Sequence, residues 1–98
     1  MYKVLVFAGT TEGYELCRIL GKHKISVCAL VATEYGTRSP GELPGVALHA
    51  GRMDENQMEA FIQETSPELV LDATHPYAAE VTKNIREACD NKNTEYVR

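Results

Sequence analysis

The stretch KVLVFAGTTEG, residues 3–13, carries the strongest indication of the fold. Its first half is a short apolar run without alternation, which is typical of a strand covered on both faces of a parallel sheet. The glycines that follow predict a tight turn. Leu16, Cys17 and Leu20 share one face of the helix predicted next, and Gly21 is its expected C-terminal stop. The chain therefore begins with a strand, a glycine turn and a helix.

The remaining sequence repeats this alternation of apolar strands and amphipathic helices. Further strands are predicted over residues 25–31, 46–49, 69–71 and 94–97. Asp54 is expected to cap the second helix, with Gln57 in capping-box position, and Pro76 to lie in the first turn of the third. The apolar faces of these helices comprise Met58, Phe61, Ile62, Ala78, Val81, Ile85 and Ala88. The pattern predicts the α/β class, with about five strands in a doubly wound parallel sheet of three layers, α/β/α.

Length and composition narrow the class of protein. With 98 residues, 44% of them hydrophobic and 24% charged, the chain is expected to form one domain with an ordered core. The 10 Lys and Arg residues against 14 Asp and Glu give a net charge of −4. Because a net negative charge does not attract the phosphate backbone of a nucleic acid, no nucleic-acid partner is expected.

The cysteines and the N-terminus indicate a cytoplasmic protein. Cys17, Cys28 and Cys89 are widely spaced, with no CxxC pair and no histidine at metal-ligand spacing, so we expect buried thiols and no metal site. The sequence contains neither an apolar run of about 20 residues nor the pattern of a signal peptide, so no membrane association is expected. The chain ends on what reads as a strand, Tyr96-Val97-Arg98, which favours a fragment of a longer protein.

Ligands of such sheets bind at the carboxyl ends of the strands, near the point where the strand order reverses. Four segments are predicted to meet there. The first is the glycine turn, residues 9–13, whose backbone N–H groups and helix dipole suit a pyrophosphate, although a tight strand-to-helix turn needs glycine on steric grounds alone. The second, residues 32–36, places Glu34 about where a dinucleotide fold has the acidic residue that binds a ribose hydroxyl. Glu34 is otherwise a solvated loop carboxylate, and Arg38 is an alternative contact for a 2′-phosphate.

The third segment, residues 51–54, follows the third predicted strand. Arg52 either pairs with a phosphate or a substrate carboxylate, or forms a surface ion pair. Asp54 fits a helix cap better than a catalytic base.

The fourth segment, residues 72–78 (DATHPYA), is the densest set of polar residues in the chain. One interpretation has Thr74, His75 and Tyr77 contacting a ligand, with His75 biased toward its neutral form near a helix N-terminus. The other is local capping, in which Thr74 satisfies helix N–H groups and His75 bonds Asp72.

Together, the four segments resemble the N-terminal part of the precorrin-6A reductase family, including the cobalt-precorrin-6A reductases of vitamin B12 biosynthesis. The resemblance covers essentially the whole chain and is most specific in DATHPYA. It implies a single Rossmann-like nucleotide-binding domain over residues 1–98. It also implies an enzyme that uses NADH or NADPH to deliver hydride to one double bond of precorrin-6A or cobalt-precorrin-6A. Ala8 departs from the family pattern, since relatives commonly have a second glycine there.

The resemblance further implies roles for individual residues. The expected cofactor contacts are Gly9, Thr10, Thr11, Glu12, Gly13, Thr33, Glu34, Thr74, His75 and Pro76. The expected substrate contacts are Tyr35, Arg52 and Tyr77. His75 and Tyr77 are the candidate catalytic residues, and Arg52 is the cation available for a carboxylate of the tetrapyrrole. Because the family enzymes carry a second α/β domain that closes the cleft, this chain is expected to be inactive alone.

One other function suits the same elements, and a third is not supported by the sequence. In a non-catalytic nucleotide-sensing or regulatory module, the glycine turn binds a mononucleotide and residues 72–78 contact a partner protein. A sugar epimerase or short-chain reductase normally carries a Tyr-x-x-x-Lys pair, which this sequence lacks.

Overall fold

The computed structural model describes residues 2–31 and 45–98. These residues form five strands and three helices in chain order. The elements are β1 (Val4–Phe7), α1 (Thr11–Lys22), β2 (Val27–Val31), β3 (Val46–Ala50), α2 (Glu55–Thr65), β4 (Leu69–Asp72), α3 (Ala79–Asn91) and β5 (Glu95–Val97). The strands are parallel throughout and lie in the order β3-β2-β1-β4-β5, which confirms the predicted α/β fold.

The central strand β1 is buried on both faces, as its unbroken apolar sequence predicts. Leu5 and Phe7 pack into a core with the buried faces of α2 and α3, which comprise Met58, Ile62, Ile85, Ala88 and Cys89. Val4 and Val6 face the opposite side and pack with Cys17 of α1. The sheet therefore lies between α1 on one side and the pair α2 and α3 on the other.

The helix α1 ends later than predicted. Gly21 lies inside the helix, which runs to Lys22, and Lys24 adopts the left-handed conformation with φ of 61°. The Ile25 N–H donates to the Leu20 carbonyl and the Lys24 N–H to the Gly21 carbonyl, each at 3.0 Å. This pair of bonds is a Schellman motif with lysine in the position that usually holds glycine. The predicted stop at Gly21 is therefore wrong by a few residues.

The start of α3 also differs from the prediction. Pro76 does not lie in the first helical turn, because a turn closed by the bond from the Ala78 N–H to the His75 carbonyl, 2.9 Å, precedes the helix. Proline suits the second position of such a turn, where its fixed φ is required. The helix begins at Ala79, and Val81 is 36% exposed rather than part of the core.

None of the helices in the described residues is long and apolar enough to cross a membrane.

Candidate functional site

The strand order places the ends of β1 and β4 side by side in the sheet. From β1 the chain proceeds to β2 and β3, and it then crosses back to β4 on the other side of β1. The helices that follow β1 and β4 pack on opposite faces of the sheet. Parallel sheets bind ligands in the crevice at this kind of switch point.

The turn after β1 has room for a ligand. An added Cβ at Gly9 would have no atom of the described residues within 4 Å. Thr10 is the N-cap of α1, and its hydroxyl accepts from the Gly13 N–H at 3.1 Å. The amides of Thr11 and Glu12, in the first turn, have no acceptor within the helix. This geometry suits an anion, although the exposed Glu12 carboxylate adds negative charge beside it.

Gly13 has a different role, since it allows close packing between elements. An added Cβ would lie 3.1 Å from the Cα and Cβ of Ala8 and 3.2 Å from the Cβ of Ala73. These are contacts with the ends of β1 and β4, so the small residues let α1 approach both strands. Close packing at the strand-to-helix turn is therefore sufficient to explain the glycine at position 13.

Thr10 also joins the two loops across the crevice. Its hydroxyl donates to the Ala73 carbonyl at 2.9 Å, which links residues that are 63 positions apart. The hydroxyl thus donates to the loop after β4 and accepts from the first turn of α1. Its expected contact with a cofactor would have to be made beside these two bonds.

Asp72, at the end of β4, is the centre of a buried polar network. Its Oδ1 accepts from the Thr74 N–H at 3.1 Å and from the Thr74 hydroxyl at 2.6 Å. Its Oδ2 accepts from the hydroxyls of Thr82 and Tyr96, both at 2.8 Å, and lies 3.2 Å from Nη1 of Arg98. The network therefore holds the start of the fourth segment to α3 and β5.

Hydrogen bonding keeps the Asp72 carboxyl ionised. Burial alone would raise the pKa of this carboxyl, but bonds from Thr74, Thr82 and Tyr96 outweigh burial and the pKa is lowered. Burial and the bond to Asp72 raise the pKa of Tyr96 to about 12. Tyr96 is therefore a neutral donor to a charged acceptor at ordinary pH.

Thr82, Tyr96 and Arg98 were missed at the level of sequence. The four predicted segments each follow a strand and contain several polar groups, a pattern that does not include these three residues. The signal that could have found them is the alternation of side chains along a strand. Tyr96 and Arg98 are two positions apart, and Tyr96 pairs with Val70, which is two positions before Asp72 and therefore on the same face of the sheet.

His75 and Tyr77 form the exposed rim of this site. The Nδ1 of His75 accepts from the Tyr77 N–H at 3.1 Å, so the neutral ring carries its proton on Nε2. The rings lie 5.0 Å apart, and Tyr77 is 89% exposed. The local-capping interpretation is wrong in its details, because Thr74 rather than His75 bonds Asp72 and the N-cap of α3 is Ala78.

The end of β3 contributes a turn and an exposed cation. Gly51 adopts a φ of 125°, which favours glycine, and its N–H donates to the Val31 carbonyl at 2.8 Å. Arg52 is exposed and has no ion pair within the described residues. Asp54 is confirmed as a helix cap, since it exchanges two bonds of 2.8 Å with Gln57. The predicted contacts Thr33, Glu34, Tyr35 and Arg38 lie outside the described residues.

A groove of about 500 Å³ lies between α3 and β5, and its walls include Lys83, Arg86 and Tyr96. Within residues 2–31 and 45–98, no three His, Cys, Asp or Glu side chains are grouped to hold a metal ion.

A parallel sheet in this order, with a glycine turn and a capped helix after its central strand, defines the Rossmann-like class of α/β proteins. The family described as Precorrin-6x reductase CbiJ/CobK matches residues 3–98. The chain therefore belongs to the precorrin-6x reductase family.

Individual relatives agree with this membership. The chain is 37% identical to a cobalt-precorrin-6A reductase of Salmonella typhimurium over 89% of its own length and 33% of the relative's. It is 30% identical to a cobalt-precorrin-6A reductase of Methanothermobacter thermautotrophicus over 97% of its length and 32% of the relative's. The chain thus spans about one third of the curated relatives it matches.

A solved structure shows the same fold. The CobK precorrin-6A reductase superimposes with a TM-score of 0.80 at 22% identity, over 98% of this chain and 36% of that one.

Proposed function

We propose that this chain forms the pyridine-nucleotide-binding part of an enzyme that reduces precorrin-6A or cobalt-precorrin-6A in cobalamin biosynthesis. The single observation that carries the proposal is the family match over residues 3–98. The relatives in that family are named as reductases of these two tetrapyrroles. The open turn at the switch point supports the proposal, because it leaves room for a ligand beside Gly9.

The residues of the glycine turn fit a nucleotide. The space beside Gly9 leaves room for a pyrophosphate near the backbone, and the amides of Thr11 and Glu12, which have no acceptor within the helix, are donors at the positive end of α1. NADH or NADPH bound there supplies the hydride. Thr74, His75 and Pro76 lie on the neighbouring loop, which the Thr10–Ala73 bond holds beside the turn.

Arg52 and the exposed rim provide groups for the substrate. Arg52 presents a cation without an ion pair in the described residues, which suits a carboxylate of a tetrapyrrole. The imidazole of His75, once protonated, and the hydroxyl of Tyr77 are the groups of this rim that can donate a proton to the carbon next to the reduced one.

The activity of the isolated chain is expected to be absent. Because the chain spans about one third of its relatives, we propose that a further domain in such enzymes closes the cleft over the substrate. Measurable reduction of precorrin-6A by the isolated chain would contradict this proposal. The three buried, unpaired thiols support a cytoplasmic location.

The cofactor role is tested by titrating the chain with NADH and, separately, with NADPH while recording two-dimensional NMR spectra of the backbone amides. The expected result is a saturable shift of the amides of Gly9, Thr11 and Glu12. The matched variant is Gly9→Ala, whose methyl group meets no described atom of the protein but occupies the space assigned to the pyrophosphate. We expect this variant to fold normally and to bind at least about tenfold more weakly.

The two nucleotides also separate the residues proposed to select the cofactor. A preference for NADH supports Glu34 as the ribose contact, and a preference for NADPH supports Arg38 instead. An absence of shifts at the glycine turn with both nucleotides at millimolar concentration contradicts the cofactor role itself.

A further inference from the structure

Arg98 is held in one position by three oxygen atoms. Its Nη1 lies 3.2 Å from Oδ2 of Asp72, 3.2 Å from the hydroxyl of Thr74 and 3.1 Å from the hydroxyl of Thr82. The Asp72 side chain is fully buried, while 37% of the Arg98 side chain is exposed. One corner of the guanidinium is therefore anchored inside the protein, and the remainder reaches the surface.

Asp72 does not need Arg98 to satisfy its hydrogen-bonding capacity. Each carboxylate oxygen of Asp72 has two partners without Arg98: the Thr74 N–H and hydroxyl on Oδ1, and the hydroxyls of Thr82 and Tyr96 on Oδ2. An arginine whose sole role was to satisfy this carboxylate would duplicate bonds already made. The contacts with Asp72 and the two threonines instead fix the direction in which Arg98 points.

The free edge of Arg98 has the geometry of an anion-binding fork. Its Nε and Nη2 have no hydrogen-bond partner within the described residues. These two nitrogens donate in parallel, a spacing that matches the two oxygens of a carboxylate. Because one corner is already held, less rotamer entropy is lost when an anion binds.

The position of Arg98 joins it to the crevice. Arg98 donates to the hydroxyl of Thr74. The residue before Thr74 is Ala73, whose carbonyl accepts from the hydroxyl of Thr10 at the glycine turn. A ligand that lies over the end of β4 can thus contact the glycine turn on one side and Arg98 on the other.

We propose that Arg98 is a substrate-binding residue whose Nε and Nη2 bind a carboxylate of the tetrapyrrole, with Asp72, Thr74 and Thr82 as its positioning residues. This inference rests on the proposed function for the identity of the substrate. It adds a second, rigidly held cation to the exposed Arg52.

The test uses a small tricarboxylate, propane-1,2,3-tricarboxylate, and inorganic phosphate as separate probes, with no nicotinamide present. Two-dimensional NMR spectra follow the Nε–H signal of Arg98 and the amides of Thr74 and Thr82. The expected result is a saturable shift of all three signals, with tighter binding of the tricarboxylate than of phosphate. Arg98→Lys, which keeps the charge but loses the fork, is expected to weaken binding about tenfold. Arg98→Gln is expected to abolish it.

Arg86→Gln is the matched control. This substitution removes one positive charge, as Arg98→Gln does, but from α3. Arg86 lies near enough to Tyr96 for its charge to oppose part of the rise in the Tyr96 pKa, but it does not contact Asp72. We expect it to bind the tricarboxylate within about twofold of the unmodified chain, because a screened surface charge contributes little.

Three results would overturn the inference. They are the absence of a saturable shift at Arg98 in the folded chain, equal weakening by the Arg86 and Arg98 variants, and tighter binding of phosphate than of the tricarboxylate. Failure of the nucleotide titration at the glycine turn would instead count against the cofactor role, because this experiment contains no nucleotide.

Discussion

The two glycines of the first turn have different surroundings. Gly13 lies in tight contact with Ala8 and Ala73, whereas Gly9 faces open space. The distinction separates a residue needed by the fold from one available to a ligand, and the two are indistinguishable in the sequence GTTEG.

Gly13→Val is predicted to destabilise the protein by about 3 kcal/mol, because the added atoms would overpack against the ends of two central strands. Urea denaturation gives the free energy of unfolding. Gly9→Ala serves as its control and should change that free energy by less than about 0.5 kcal/mol. Equal losses in the two variants would contradict the packing role of Gly13.

Asp72→Asn is predicted to lower the free energy of unfolding by about 2–3 kcal/mol at pH 7, because it removes a buried charge that accepts several hydrogen bonds. The lowered pKa of Asp72 means that its contribution is complete above the unfolded value of about 3.9 and is lost as the pH falls through the folded value. The difference between the unmodified chain and the variant should therefore shrink below about pH 4.

Denaturation curves recorded between pH 7 and pH 3 measure this difference. Asp90→Asn, at an exposed position of α3, is the control and should leave the stability within about 0.5 kcal/mol of the unmodified chain. A difference between unmodified chain and Asp72→Asn that grows on acidification would show that the carboxylate is not stabilised in the fold.

At the scale of helices, the end of α1 carries a conformational cost. Lys24 occupies the left-handed region, where a side chain costs about 1 kcal/mol relative to glycine. Lys24→Gly is therefore predicted to raise the free energy of unfolding by about 0.5–1 kcal/mol. Lys22→Gly, the same change two residues earlier within the helix, should lower it by up to about 1 kcal/mol. Thermal or urea denaturation distinguishes the two signs, and a loss in both variants would refute the Schellman assignment.

The sequence was sufficient to predict the elements but not the contacts between them. Uninterrupted apolar runs predict the strands because burial on both faces of a sheet leaves no position for polar residues, as in VLVF of β1. The start of α3 was misplaced because Pro76 suits a turn and a first helical turn equally well, and the His75–Ala78 bond decides between them. The Asp72 network joins residues up to 26 positions apart, and no pattern of neighbouring residues in the sequence predicts such a pairing.

The three buried thiols report on global unfolding. Cys17, Cys28 and Cys89 are at most 2% exposed, and burial raises the pKa of each thiol to about 11. Since the thiolate is the reactive form, we predict that Ellman's reagent reacts with the native chain at pH 8 much more slowly than with the urea-unfolded chain. The rate in water should track the stability of the variants above. Rapid reaction of one thiol in the native chain would show that part of the core opens locally.

The position of β1 has a consequence for synthesis on the ribosome. Of the five described strands, β1 leaves the exit tunnel first, yet it lies in the centre of the sheet and one of its two partners, β4, begins at Leu69. At about 5–20 residues per second, several seconds pass before that partner is made. During this interval VLVF has an open edge, so the nascent chain is then most exposed to aggregation.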